Sequence, residues 1–239
     1  MGIHLIGTVH YNLNGFDKLK KALEIENPDI LTIEASREGV KYMKTHWDDD
    51  VKYSLEILKK NELKPETISF FKKYLESVSC YEVDACDNYS KEKNIPLYYI
   101  DSPDSFSYIK EDSIKQLNEL FKNFEPNFFD KFSIEKIKNG HDKLYEYIQK
   151  LYDGEIPSEK GEEIFINPLR GKIVGKRDEF QAKKIVSIAR ENPGEKIVHV
   201  GGCVHFLSDS KGDTLYSKLK LNKINPTRKT LWKYEQDKK

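Results

Sequence analysis

The sequence predicts an α/β protein with a mostly parallel central sheet, helices around it and a helical insertion in the middle of the chain. Three observations carry this expectation. Four short apolar runs, Ile3–Ile6, Ile30–Ile33, Leu97–Ile100 and Ile197–Val200, are bounded by Gly, Pro or Asp and have the length of buried strands. The stretches between them are rich in Lys and Glu, have helical periodicity, and are long enough for the crossover that a parallel pair of strands needs. The first and last runs are followed by the same short motif, Gly7-Thr8-Val9-His10 and Gly202-Cys203-Val204-His205.

Taken in order, Phe16, Leu19, Leu23 and Ile25 punctuate a charged segment and predict one amphipathic helix, which the Asn27-Pro28-Asp29 turn ends. Residues from about Val51 to Lys93 are helical in pattern, divided near Leu63-Lys64-Pro65, with Thr67 expected as a cap. The insertion is expected over about 108–170, because aromatics and leucines recur there at helical spacing without a strand signal. Phe121, Phe124, Phe128, Phe129, Phe132, Tyr145 and Tyr147 read as packing and lid residues rather than a platform for bases, since no basic stripe accompanies them. Gly154–Gly175, with its prolines and glycines, predicts an irregular return to the core. Lys176-Arg177-Asp178-Glu179 then opens a helix to about Arg190, closed by Asn192-Pro193-Gly194. After the second motif we expect a short helix near Leu215–Leu219, an edge strand near Thr230–Tyr234, and a solvated Lys-rich tail from Lys218 onward.

Bulk properties narrow the partners. A chain of 239 residues is large enough for one domain with a substantial core. Its 40 basic and 40 acidic residues cancel, which removes any general electrostatic reason to expect nucleic acid or an anionic membrane. Cys80, Cys86 and Cys203 are too few and too scattered for a disulfide framework, and they contain no C-x-x-C pair, so a reducing cytoplasm is expected. The strand-like Ile3–Ile6 leaves no room before it for a signal peptide. No apolar run approaches the roughly 20 residues of a membrane helix. The expectation is a soluble cytoplasmic protein acting on a peptide or small molecule, with homo-oligomerisation left open.

In an open α/β sheet, ligands bind beyond the carboxyl ends of the strands. His10 lies just past the first strand, Glu34 closes the second, Asp101 closes the third and His205 follows the fourth. Parallel strands would bring all four to one edge. Gly7, Gly201 and Gly202 would let the backbone turn sharply or approach a ligand closely there. Two imidazoles and a carboxylate match the ligand set of a divalent transition metal, with positions open for water and substrate. The same groups could instead work without metal, one histidine oriented by Glu34 deprotonating a water that attacks an ester or amide. Arg177 and Asp178 suit either a helix cap with a surface ion pair or a place in the site. Cys203 reads as a buried filler. His4, His46, His141 and His199 read as structural or solvated. No H-E-x-x-H, G-x-S-x-G or Walker loop is present.

Gly7-Thr8-Val9-His10, a helix, and then Asn27-Pro28-Asp29-Ile30-Leu31-Thr32-Ile33-Glu34 with Arg37 close behind resemble the opening of the TraB/PrgY family, whose relatives include GumN and the Tiki proteins. Lys176-Arg177-Asp178-Glu179 followed by Val198-His199-Val200-Gly201-Gly202-Cys203-Val204-His205 resembles that family's Arg-Asp helix and second Gly-x-x-His. The wider group includes ChaN-like haem-associated proteins and erythromycin esterase, and the resemblance implies an α/β core with a mostly parallel sheet. Tiki proteins are described as divalent-metal-dependent peptidases using both motif histidines and a glutamate, and the esterases as using histidine and glutamate to activate water. Carried over by position, the resemblance implies a catalytic centre of His10, Glu34 and His205, with Arg177 as oxyanion or carboxylate partner. The implied metal, held by His10, Glu34 and His205, is Mn, Co or Zn. Gly7, Thr8, Arg37, Asp101, Gly201 and Gly202 are then expected to bind substrate. The resulting expectation is a metal-dependent, peptidase-like hydrolase of amide or ester bonds. The alternative is a non-catalytic module that captures a peptide, haem or metal in the same pocket.

Overall fold

The computed structural model describes residues 2–10, 12–60, 64–77, 80–102 and 134–237. Five strands form one sheet in which every pair is parallel: β1 (Gly2–Thr8), β2 (Ile30–Ile33), β3 (Leu97–Tyr99), β4 (Lys196–Gly202) and β5 (Thr227–Thr230), in the order β3-β2-β4-β1-β5. The expected α/β class is therefore the observed one. All carboxyl ends share an edge, and β4, the fourth strand in sequence, lies between β1 and β2. Its register sets Gly7 beside Gly201 and Thr8 beside Gly202, so both motifs start at the end of one strand pair, one position out of register.

The central strands alternate between two buried faces, which explains why they read as continuous apolar runs. Ile3, Leu5, Ile30 and Ile197 face α6 (Lys176–Glu191) and α7 (Leu215–Leu221), packing on Ala182, Ile185, Leu215 and Leu219. Ile6, Leu31, Ile33, Val198 and Val200 face α1 (Gly15–Glu26), α4 (Tyr81–Lys93) and α8 (Leu231–Gln236), packing on Leu19, Leu23, Cys86, Tyr89 and Leu231. At one margin, α5 (Ile134–Asp153) lies along β5, where Gln149 Oε1 accepts the Thr230 amide at 2.8 Å. That bond occupies an amide of the outermost strand.

Several expectations shift. Helix α2 (Arg37–Lys60) begins at once after β2, well before Val51, because Ser36 Oγ accepts the Gly39 amide at 3.0 Å and starts the helix there. Helix α3 (Pro65–Ser77) starts on its proline, so Thr67 lies inside the first turn instead of capping it. The expected edge strand at Thr230–Tyr234 is the end of β5 followed by α8, since Leu231 and Tyr234, three apart on one helix face, are both buried. For the same reason the Lys-rich tail is not simply solvated. The part from Lys218 to Gln236 supplies the end of α7, an edge strand and a core-facing helix, while its lysines cover the outside.

Of the expected insertion, residues 103–133, with Phe121, Phe124, Phe128, Phe129 and Phe132, lie outside the described residues. Tyr145 is buried within the core, and Tyr147 is half-buried against Phe165. The return to the sheet is a turn of helix at Ser158–Gly161, a π-turn at Glu162–Ile166 and a 3-10 turn at Asn167–Leu169. Among the described residues no helix is long and apolar enough to cross a membrane.

Candidate functional site

The centre of the site is Glu34, the first residue beyond β2. Its amide bonds to the Val200 carbonyl at 2.9 Å, prolonging the β2–β4 pairing, and its side chain is only 2% exposed. Oε2 accepts the Gly202 amide at 2.6 Å. Oε1 lies 3.0 Å from Arg177 Nη1 and 3.2 Å from His205 Nε2. A methyl group added at Gly202 would stand 3.4 Å from the His205 ring, 3.5 Å from Glu34 Oε2 and 3.6 Å from His10 Nε2. The two motif histidines and the glutamate therefore converge over this glycine. At Gly201 a methyl would lie 2.6 Å from Glu34 Oε2 and 3.1 Å from His199 Nε2, which is why only glycine fits.

Each histidine is held by a carboxylate from a different helix. His10 Nδ1 is 2.9 Å from Glu82 Oε1 on α4, and Tyr81 Oη donates to the Val9 carbonyl at 2.9 Å, steadying the turn from below. His205 sits on the 3-10 turn Cys203–Phe206, with Nδ1 2.7 Å from Asp178 Oδ1. Asp178 is fully buried. Its Oδ1 also accepts the Leu215 amide at 2.8 Å and its Oδ2 the Gly175 amide at 2.9 Å, so one carboxylate orients the histidine and ties together the starts of α6 and α7.

Charge follows from these contacts. Burial opposes ionisation of Glu34, but His205, Arg177, His10 and the Gly202 amide outweigh it and hold its pKa at about 2. Burial likewise disfavours the imidazolium of His205, while Glu34 and Asp178 raise its pKa to about 9. The protein mass around His10 disfavours its charged form, and Glu82 followed by Glu34 raises it nonetheless; its side chain is 62% exposed, so solvent screens part of that attraction. Beneath the site, burial keeps His199 neutral, with a pKa of about 4 and its Nδ1 3.0 Å from Thr32 Oγ1. Burial pushes the Cys203 thiol up to about 12, consistent with a packing role.

The remaining expected residues take distinct places. Arg177 bonds Asp101 twice, through Nε at 2.8 Å and Nη2 at 2.5 Å, and Gln181 Nε2 adds a bond to the same aspartate at 3.2 Å. The Asp101 side chain is 3% exposed, so it reaches the site through Arg177 and is not open to substrate as expected. Thr8 Oγ1 donates to the Gly201 carbonyl at 3.0 Å and is buried, locking the two motif strands together instead of facing a ligand. Gly7 is pressed against Cys203, whose Cβ would stand 2.9 Å from an added methyl. Arg37 is exposed in the first turn of α2 and stands outside the group gathered on Glu34.

Of the two carboxylates behind the histidines, the sequence offered Asp178 as either a cap or a site residue and gave no sign of Glu82. Asp178 looks like a cap, and it is one, but its second oxygen reaches His205. Glu82 is one of several acids on a charged helix and carries no local signal at all. The carboxylates of Glu34, Glu82, Asp101 and Asp178 and the Arg177 guanidinium are thus linked directly or through one another to the two motif imidazoles. Among the described residues, no three His, Cys, Asp or Glu side chains are already grouped closely enough to hold one metal ion. No protein-family model matches the chain, and neither does any curated protein or solved structure.

Proposed function

We propose that this chain is a metal-dependent hydrolase of the TraB/PrgY kind, cutting an amide or ester bond in a peptide or small molecule. Its centre is then a divalent Mn, Co or Zn ion held by His10, Glu34 and His205. The observation that carries this reading is that both imidazoles bind a carboxylate through Nδ1, which turns both Nε2 atoms toward Glu34. Metal-ligating histidines commonly give their other ring N–H to a carboxylate in this way. The 3.2 Å between His205 Nε2 and Glu34 Oε1 suits two donors that each lie about 2.1 Å from a shared ion. Charge supports it too, because Glu34 and Asp178 draw a proton onto His205 and Glu82 and Glu34 draw one onto His10, and a doubly charged ion would take their place.

When bound, such an ion lowers the pKa of a coordinated water and polarises the carbonyl to be attacked. The chain's own residues supply the rest. Glu82 and Asp178 fix the ring planes and strengthen Nε2 as a donor. Arg177, clamped between Asp101 and Glu34, keeps Glu34 ionised and balances negative charge that develops on a substrate oxygen. Substrate enters on the side of His10, since Glu34, His205 and Asp178 are all buried.

Calorimetric titration of the purified protein with Mn(II), Co(II) and Zn(II) at pH 7, in buffers of different ionisation enthalpy, tests this. We expect tight binding with release of between one and two protons per ion. A peptide and ester screen should reveal hydrolysis that His10→Ala and His205→Ala both abolish. Failure to bind any of these ions, or hydrolysis indifferent to both substitutions, overturns the proposal.

A further inference from the structure

One helix reaches both motif turns. Tyr145 and Tyr152 are seven positions apart on α5, which is two turns, so their side chains leave the same face of the helix. Tyr145 Oη accepts the Val9 amide at 2.8 Å and Asn12 Nδ2 at 3.2 Å. Tyr152 Oη donates to the Cys203 carbonyl at 2.6 Å. Val9 immediately precedes His10, and Cys203 is the second residue of the Gly-x-x-His that ends on His205. Both rings are buried, so each hydroxyl must find a partner in the interior, and each finds it on the backbone of a different motif.

The helix that carries these hydroxyls is itself anchored elsewhere. Gln149, between the two tyrosines, holds the Thr230 amide of β5, and Asp142 pairs with Lys18 of α1 at 2.9 Å. A rise of about 1.5 Å per residue makes the seven-residue step a fixed length of about 10 Å along the axis. The two turns are thus pinned to one rigid rod as well as to adjacent strands.

We infer that α5 sets the separation of His10 and His205, with Tyr145 and Tyr152 as positioning residues acting through the peptide groups of Val9 and Cys203. Neither tyrosine touches the convergence point over Gly202. The inference rests on reading the two turns as one site, and its test is chosen to separate the two ideas.

Tyr145→Phe and Tyr152→Phe are made in the full chain, with Tyr147→Phe, whose ring packs on Phe165, as the control on the same helix. The first readout needs no metal: ring nitrogen shifts of the histidines, measured by NMR at pH 7, report the Nδ1 bonds to Glu82 and Asp178. Tyr145→Phe should move the His10 signals, Tyr152→Phe those of His205, and Tyr147→Phe neither. The second readout is Co(II) affinity, expected to weaken at least about tenfold in each of the first two variants and to hold in the control. Ring shifts that stay put while Tm falls would mean the tyrosines are staples only, and would overturn the inference. Should Tyr145→Phe not fold, Tyr152→Phe and hydrogen exchange of the Val9 amide in the native protein decide it: an amide that exchanges like one in a free loop overturns it. A native chain that binds no Co(II) overturns the hydrolase reading alone, because the ring shifts judge the positioning without an ion.

Discussion

His10 and His205 end the same four-residue motif, follow adjacent parallel strands, and differ in nearly everything else. The His205 side chain is 5% exposed and its carboxylate partner Asp178 is fully buried; His10 is 62% exposed and its partner Glu82 is 15% exposed. The same Gly-x-x-His pattern thus yields one histidine that is part of the interior and one that borders solvent. The difference comes from what covers each turn: α6 and α7 close over His205, while α4 touches His10 from one side. The lesson is that a repeated motif marks a place on the sheet edge, and the surrounding helices decide how each copy is used.

The largest effect should come from Asp178→Ala. It would strip the partner from a buried imidazolium and leave the Gly175 and Leu215 amides unpaired, a loss of about 3 to 5 kcal/mol measurable by urea unfolding. If the loss is below about 1 kcal/mol, the buried side of the comparison is wrong.

Alkaline pH should act on the same side. A histidine whose folded pKa is raised contributes stability fully present below its unfolded value near 6.5 and lost as pH rises through about 9, so His205 should give up on the order of 3 kcal/mol between about pH 7 and 10. The acid limb has the opposite origin. Glu34, held at about 2, contributes stability present above the usual carboxylate range and lost as pH falls through that value, and neutral His199 contributes stability present above about 6.5 and lost as pH falls through about 4. Unfolding measured across pH for wild type and His205→Gln should show a clearly smaller alkaline loss in the variant, where only the raised, solvent-screened His10 remains.

A pair of glycine substitutions sharpens the comparison further. Gly201→Ala forces a methyl against the Glu34 carboxylate and should cost about 1 to 3 kcal/mol. Gly202→Ala meets only ordinary contacts and should leave Tm nearly unchanged, yet it occupies the point where the three side chains converge, so Co(II) affinity should drop. The smallest stability effect belongs to Glu82→Gln, under about 1 kcal/mol because its histidine is largely in solvent. Its metal affinity should nonetheless fall 10- to 100-fold, roughly, since the ring loses the group that aims it.

How much of this was legible depends on the range of the interaction. The first four strands could be read because each is a short apolar run between turn residues, and His10, Glu34 and His205 because they stand at strand ends. Their convergence follows from parallel order alone. Local signals failed where tertiary packing decides. Thr230–Tyr234 has the β-branched and aromatic content of a strand, but burial of Leu231 and Tyr234 selects a helix. Glu82 is indistinguishable from its acidic neighbours until α4 is laid over the end of β1. Asp101 occupies a strand end like Glu34, yet Arg177 and Gln181 fold over it and remove it from contact with solvent.

The place of β4 in the sheet has a consequence for the history of each molecule. β1 and β2 are made before β4, but they are not neighbours; the strand that separates and joins them is made from Lys196 onward. Until then the N-terminal strands have no partner on their facing edges, and His10 and Glu34 have nothing to bring them together. A nascent or truncated chain ending before Lys196 therefore carries β1, β2 and β3 without the strand that brings His10, Glu34 and His205 together. Such non-local pairing makes folding slow, and it withholds the convergence of His10, Glu34 and His205 until β4 has been made.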